Sequence, residues 1–383
     1  MDVLRVAMNG VTGRMGYHQH LLRSVLAIRE DGGVTLTDGR RVQLEPVLVG
    51  RNPAKLAELA DRHGIAEHSA DLNAVLADPT IDIYFDAQLT GVRRDALLAA
   101  IRAGKHIYAE KPVVETVADA LDIAERAEAA GLKTGVVHDK LYLPGLRKLR
   151  RLIDNGFFGR VLSVRGEFGY WVFEGSSPPA QRPSWNYRAE DGGGIAVDMF
   201  AHWAYVLENL FGRVESVFAR TVTHIPERVD EQGAAYAATA DDAAYAIFEL
   251  AGGTIAQINS SWCVRVERKE LVEFQVDGVE GSAVAGLWGC RVQHRSVTPR
   301  PVWNPDLPTA ESFRDQWTEV PDNAEFGNGF RAQWEEFVRH VVDDPGAPAY
   351  RHDVRSGARG IQLARAGLQS SAEGRRITLE KLP

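Results

Sequence analysis

Residues 3–16 read VLRVAMNGVTGRMG, a β-rich run that stops abruptly in a glycine-studded turn and passes into a helical stretch. Gly10, Gly13 and Gly16 at such a joint restrict the fold more than any other feature of the chain. Glycine allows a tight turn there, and lets the backbone approach a pyrophosphate that the amides of the helix N-terminus then hold. The spacing is GxxGxxG, one residue longer than the usual GxGxxG, so the turn alone is weak evidence. The pattern of the next 120 residues strengthens it. Leu21, Leu22, Val25, Leu26 and Ile28 recur at roughly helical spacing. Strand and helix then alternate through residues 45–49, RNPAKLAELADRHG, IDIYFDAQ, RRDALLAAIRAG, HIYAEKP, a helix over 117–130, and LKTGVVH. Asn52 and Pro53 provide the cap and first-turn proline of the second helix. Asp38-Gly39 between β-branched residues signals an inserted hairpin ahead of the second parallel strand. The alternation predicts a doubly wound parallel sheet with helices on both faces, ending near Val137.

Length adds a second domain. The chain has 383 residues, too many for one ordinary core. The division predicted is 1–137 for a dinucleotide-binding domain and 138–383 for an α/β domain. Residues 160–173 read as one long strand, a Pro/Gly/Ser-rich loop spans 175–194, and a helix continues through Phe211. AYAIFELAGGTIAQINSSW reads as a hairpin about Gly252-Gly253, and ELVEFQVDGVEGSAVAG as another turning near Asp277-Gly278, so this sheet is expected to be mostly antiparallel or mixed. Residues 299–328 look irregular, and helices over 330–342 and 355–371 close the chain.

Bulk properties narrow the class. Fifty-two Asp and Glu against 44 Lys and Arg give a net charge of −8, with no basic tract, which argues against a nucleic-acid partner. Cys263 and Cys290 are the only cysteines, with no CxxC, so a disulfide framework and a structural zinc site both lack support. Asp2 stands where a signal peptide would be basic, and no segment reaches the ~20 apolar residues of a membrane helix. A cytoplasmic protein without a membrane association is the expectation.

Four stretches carry chemistry. The turn residues Gly10, Thr12, Gly13, Arg14, Met15 and Gly16 are candidates for holding a dinucleotide. The second strand ends Val49-Gly50-Arg51-Asn52, with no acidic residue for ribose hydroxyls. Arg51, with Lys55, is instead suited to a 2′-phosphate, so the cofactor expected is NADP ahead of NAD. Against this, Arg51 at a helix start is often merely solvated. Third, AGKHIYAEKP places Glu110 and Lys111 at the carboxyl end of a parallel strand. There a lysine can hydrogen-bond a reacting oxygen and offset alkoxide charge. Fourth, GGGIAVDMFAHW puts Asp198 and His202 four apart on one helical face. Such a histidine can take an alcohol proton, and such an aspartate can orient substrate or imidazole. The bland alternative is an ordinary helix pair. No third ligand at a sensible spacing suggests a metal.

These motifs in this order resemble the glucose–fructose oxidoreductase/inositol dehydrogenase (Gfo/Idh/MocA) family along nearly the whole chain, including LRKLRRLIDNGFFGRV and a C-terminal helix ending near SAEGRRITL. The resemblance implies a Rossmann domain, a second α/β domain with a large open sheet that builds dimers or tetramers, and NAD(P)-dependent hydride transfer at a secondary alcohol of a sugar or cyclitol. It makes Lys111 the nicotinamide-side and hydroxyl-binding lysine, Asp198 the substrate-orienting aspartate, and His202 the general acid/base. Trp185 and Arg188, in PSWNYRAEDGGG, become candidates to stack on and hydrogen-bond a sugar ring, with Tyr170 and Lys140 as further pocket candidates. One departure stands out: the family's ATPNSLH-like segment is DAQLTGVRR here. Arg93 then falls where a histidine would open the helix, while Gln88 and Thr90 remain candidates to touch the cofactor. Two rivals remain open on the sequence: a non-catalytic dinucleotide-sensing regulator of the same fold, and a dihydrodipicolinate-reductase-like enzyme suggested by GVTGRMG.

Overall fold

The computed structural model describes residues 2–170, 182–300, 304, 306–308 and 312–383. By contacts the chain forms two units, one of residues 1–142 with 327–362 and Leu382, the other of 143–326 with 363–381 and Pro383.

The first unit is built on strands β1 (Asp2–Asn9), β2 (Val34–Thr35), β3 (Arg41–Val49), β4 (Glu67–Ser69), β5 (Ile83–Asp86), β6 (His106–Ala109) and β7 (Thr134–Val136). Their order is β2-β3-β1-β5-β6-β7, with β4 beside β3, and every pairing but β2–β3 is parallel. Helices cover both faces, so side chains are buried in both directions of the pleat. Val6, Met8 and Phe85 enter one core, while Ala7, Tyr84 and Ile107 enter the other. The hairpin expected at Asp38-Gly39 forms: β2 pairs antiparallel with β3, and Leu36 donates to the Arg40 carbonyl at 2.8 Å.

Two differences from the sequence-based expectation concern helices. The segment after the glycine turn is a wide π-type helix over Gly16–Leu26, which tightens into α1 (Ala27–Glu30). Apolar spacing near 3.6 cannot distinguish such a winding from a regular helix. Further, residues 327–362, expected in the second domain, group with the first unit. Helix α8 (Gly329–Val341) buries Trp334, Phe337 and Val338 against Leu21, Phe85 and Tyr108, and the start of α9 (Val354–Glu373) buries Val354, Ala358 and Ile361 in the other core. The inserted hairpin fastens α8: Thr37 donates its amide to Asp344 Oδ2 at 3.0 Å, and Arg339 Nη2 donates to the Thr35 carbonyl at 3.1 Å.

The second unit holds a nine-stranded sheet of β8 (Val161–Phe168), β9 (Val214–Val222), β12 (Ala243–Leu250), β13 (Ile255–Ser261), β14 (Val272–Gly278), β15 (Gly281–Ala285), β16 (Cys290–His294), β17 (Thr318–Glu319) and β18 (Ile377–Thr378). A separate ribbon pairs β10 (Glu227–Val229) with β11 (Ala235–Ala237). The large sheet is antiparallel except where β13 meets β8. Strand β8 ends at Phe168; residues 171–173 of the expected longer strand, and 175–181 of the loop after it, lie outside the described residues. One face is covered by α7 (Ile195–Leu210), through Phe200 against Phe248 and Trp203 against Phe274, with Trp203 Nε1 donating to Ser260 Oγ at 3.0 Å. The opposite face is open, and shows Phe218, Tyr245, Ile247 and Ile255, each 39–45% exposed.

Candidate active site

At the glycine turn each glycine has its own reason. Gly10 has φ +87°, and a Cβ there would lie 2.6 Å from the Ala87 carbonyl carbon. A Cβ on Gly16 would lie 2.4 Å from the Gly10 oxygen. Gly13 is different: an added Cβ would meet only that oxygen, at 3.4 Å, with open space beyond. The backbone bends between β1 and the helix, with Gly13 donating to the Gly10 carbonyl at 3.1 Å. Thr12, Arg14 and Met15 fill the turn, Arg14 exposed and the other two half-buried. The amides of the helix's first turn have no carbonyl of their own helix to reach, which makes the place attractive to an anion.

Beside the turn, at the carboxyl ends of β1 and β3, lies a cavity of about 420 Å³ lined in part by Asn9, Gly50, Arg51, Asn73, Gln88 and Arg102. Arg51 is exposed at its rim, and Lys55 Nζ reaches the Thr12 carbonyl at 3.5 Å. Asn52 is committed to the helix it precedes, accepting from the Lys55 amide at 3.1 Å. Open space at Gly13 next to this cleft fits a dinucleotide with its pyrophosphate on the turn.

The EKP turn is held by buried side chains. Arg93, 2% exposed, donates to Asp86 Oδ1 at 3.2 Å, to the Glu110 carbonyl at 2.6 Å, and to the carbonyls of Gln88 and Pro112. Asp86 also accepts from the Gln88 amide at 2.8 Å and from Tyr84 OH at 2.7 Å, and Tyr84 in turn accepts from Asn9 Nδ2 at 3.0 Å. Arg93 thus ties the carboxyl ends of β5 and β6 together. Thr90 is the first residue of helix α4 (Thr90–Arg102). The Glu110 side chain turns inward, Oε1 meeting His20 Nε2 at 2.9 Å and Oε2 accepting from the Lys111 amide at 3.1 Å. Burial pushes this carboxyl's pKa up. The His20 hydrogen bond and the Lys111 and Arg93 charges outweigh that and hold it below the usual range. Lys111 itself is half-buried, and its bond to Pro112 is cis. Lys140, also singled out in this unit, donates to Asp139 Oδ2 at 2.9 Å.

In the second unit α7 is preceded by Gly194, φ +116°, and by Gly193, where a Cβ would meet the Trp185 oxygen at 2.4 Å. Asp241 receives the amides that start the helix, Ile195 on its carbonyl at 2.9 Å and Ala196 on Oδ2 at 2.7 Å. Burial raises its carboxyl to about 6 despite those bonds. Asp198 accepts from Arg182 Nη1 at 2.7 Å, and the Arg182 guanidinium lies 4.6 Å from the Trp262 ring centroid. His202 is 6% exposed, and its Nδ1 pairs with Tyr205 OH at 2.6 Å. Trp185 stands 40% exposed on the 3₁₀ turn Ser184–Tyr187. Arg188 lies over the Tyr236 ring at 4.5 Å, and Tyr170 is half-buried two residues past β8. Sequence reasoning missed Arg182, His20 and Trp334. No local motif marks them, since each gains its role from a partner distant in the chain.

Both halves match known families. An oxidoreductase family with an NAD-binding Rossmann fold covers residues 4–138, and a GFO/IDH/MocA C-terminal domain covers 146–284. The chain belongs to the GFO/IDH/MocA oxidoreductase family. Within it, the chain is 62% identical over 384 residues to a D-xylose dehydrogenase of Paenarthrobacter nicotinovorans, covering 99% of this chain and 98% of that protein. It is 21% identical to a scyllo-inositol 2-dehydrogenase (NADP(+)) of Bacillus subtilis, over 88% and 89% of the two chains. Among solved structures, levoglucosan dehydrogenase in complex with NADH and levoglucosan superposes with a TM-score of 0.81 at 20% identity over the full length of both, which bears on the fold alone. This GFO/IDH/MocA member is an NAD(P)-dependent oxidoreductase of sugar-like alcohols, and the regulator and dihydrodipicolinate-reductase readings are set aside. No helix among the described residues is long and apolar enough to cross a membrane.

Proposed function

We propose that the protein oxidises D-xylose or a closely similar pentose, with NADP preferred over NAD, in the cytoplasm. Identity of 62% along essentially the whole chain to a D-xylose dehydrogenase carries the substrate reading. Absence of a carboxylate in Val49-Gly50-Arg51-Asn52, with Arg51 at the cleft rim and Lys55 beside the turn, supports the choice of dinucleotide.

A nicotinamide dinucleotide supplies the hydride acceptor when bound. Gly10, Thr12, Gly13, Arg14, Met15 and Gly16 hold its pyrophosphate, and Arg51, Asn52, Gln88, Thr90, Glu110 and Lys111 complete its surroundings. Lys111 hydrogen-bonds the reacting hydroxyl and stabilises the charge that grows on oxygen. His202 removes the hydroxyl proton at Nε2. For that, Nδ1 must carry the ring hydrogen, and the Tyr205 hydroxyl 2.6 Å away can accept it. Asp198, paired with Arg182, orients the sugar, with Lys140, Tyr170, Trp185 and Arg188 as further contacts. The first unit takes the cofactor. The second takes, through the open face bearing Phe218, Tyr245, Ile247 and Ile255, a second copy of the chain in a homodimer or homotetramer.

The test is to mix the protein with D-xylose and either dinucleotide and follow formation of the reduced nicotinamide. Turnover with D-xylose, faster with NADP at limiting cofactor, is expected. No reduction with D-xylose or other pentoses would overturn the substrate reading, and a preference for NAD the role of Arg51.

A further inference from the structure

Glu110 is joined to a buried chain that the hydride transfer itself does not use. Trp334 Nε1 donates to His20 Nδ1 at 3.0 Å, His20 Nε2 meets Glu110 Oε1 at 2.9 Å, and Glu110 Oε2 accepts from the Lys111 amide at 3.1 Å. Trp334 and His20 are wholly buried and Glu110 is 8% exposed. The proton positions are fixed by chemistry alone. An indole N–H only donates, so His20 Nδ1 must be the bare acceptor, and the ring hydrogen sits on Nε2, pointing at the carboxylate. Both ring nitrogens of His20 are therefore used, Nδ1 by the indole and Nε2 by the carboxylate. Its ring is packed by Phe85, centroids 4.4 Å apart, and by Phe330 at 5.2 Å.

We propose that Trp334, His20 and Glu110 form a positioning relay for Lys111, fixing the backbone from which its amine reaches the hydroxyl. The relay rests on Lys111 being the lysine that binds the reacting oxygen. Three segments far apart in sequence (the first helix, the end of β6, and α8) converge on one peptide N–H. A burial role alone requires nothing of the kind: apolar side chains in place of His20 and Glu110, with a phenylalanine in place of Trp334, would fill the same aromatic pocket without a polar group to satisfy. What the relay adds is a fixed direction for the Glu110 carboxylate, and displacement of a catalytic side chain by an ångström costs rate far more than binding. Trp334, His20 and Glu110 are thus positioning residues, and Lys111 the catalytic one.

The test compares His20→Leu, His20→Gln, Trp334→Phe, Lys111→Ala and the core control Val25→Ala in the full-length protein. It uses steady-state rates with D-xylose, dinucleotide affinity by calorimetry, and thermal melting. Glutamine offers an acceptor and a donor on one amide, so it can take the indole hydrogen and give one to Glu110. His20→Leu and Trp334→Phe should lower kcat by about tenfold with dinucleotide affinity changed by less than about twofold, and His20→Gln should stay within about threefold of wild type. Val25→Ala, which loosens the same core without touching the relay, should melt earlier and keep its kcat. If His20→Leu does not fold, Trp334→Phe and His20→Gln carry the test. Wild-type kcat in Trp334→Phe alongside a crippled Lys111→Ala would overturn the relay and leave Lys111 in place. Wild-type kcat in Lys111→Ala would overturn the role of Lys111 itself. A loss of kcat in Val25→Ala equal to that in Trp334→Phe would reduce the relay to ordinary core packing.

Discussion

Two turns stand at the carboxyl edge of the same parallel sheet, and they are held in opposite ways. The turn at 10–16 is fixed by what is missing: Gly10 and Gly16 approach other backbone within distances no Cβ tolerates, and Gly13 leaves its space open. The turn at 110–112 is fixed by what has been added: a buried arginine on its carbonyls, and a histidine under its glutamate. A glycine requirement is local, written within a few residues of the bend it serves. A side-chain clamp is non-local, so the clamping residue carries no mark of its purpose.

The largest test of that contrast is Arg93→Met. It leaves Asp86 buried without its cation and frees three carbonyls, so a stability loss of about 3–5 kcal/mol is expected by denaturant unfolding. A loss below about 1 kcal/mol would mean that the clamp is ornamental, and the EKP turn as locally determined as the glycine turn. Next come two alanines three residues apart. Gly10→Ala imposes φ +87° on a Cβ that also strikes Ala87, and should cost about 2–3 kcal/mol along with dinucleotide binding. Gly13→Ala should change stability by less than about 0.5 kcal/mol yet weaken dinucleotide binding by about tenfold, because its methyl occupies the space left for the pyrophosphate. Equal effects at the two positions would erase the difference between a glycine the fold needs and one the ligand needs.

The same division separates what the sequence makes legible from what it hides. The doubly wound sheet, the hairpin at Asp38-Gly39 and the antiparallel hairpin about Gly252-Gly253 arise from local spacing and turn residues, and all are present. The return of α8 to the first unit was not legible. The apolar stripe of Trp334, Phe337 and Val338 announces a buried face without naming the surface that buries it. Arg93 shows the limit most plainly. The departure from the family pattern was visible as a residue, but its meaning lies in carbonyls of Glu110 and Pro112, 17 and 19 residues away. Likewise Asp198 and His202 were placed on one face of α7 by their spacing. Their partners Arg182 and Tyr205 differ in distance along the chain, and only Tyr205 lies within reach of a helical periodicity argument.

The central claim is that Lys111 and His202 perform the chemistry, and turnover of D-xylose by Lys111→Ala and His202→Ala tests it most directly. Each variant should fold, melt near the wild-type temperature, and lose about a hundredfold or more in kcat. Two well-folded variants that turn over at close to the wild-type rate would contradict it.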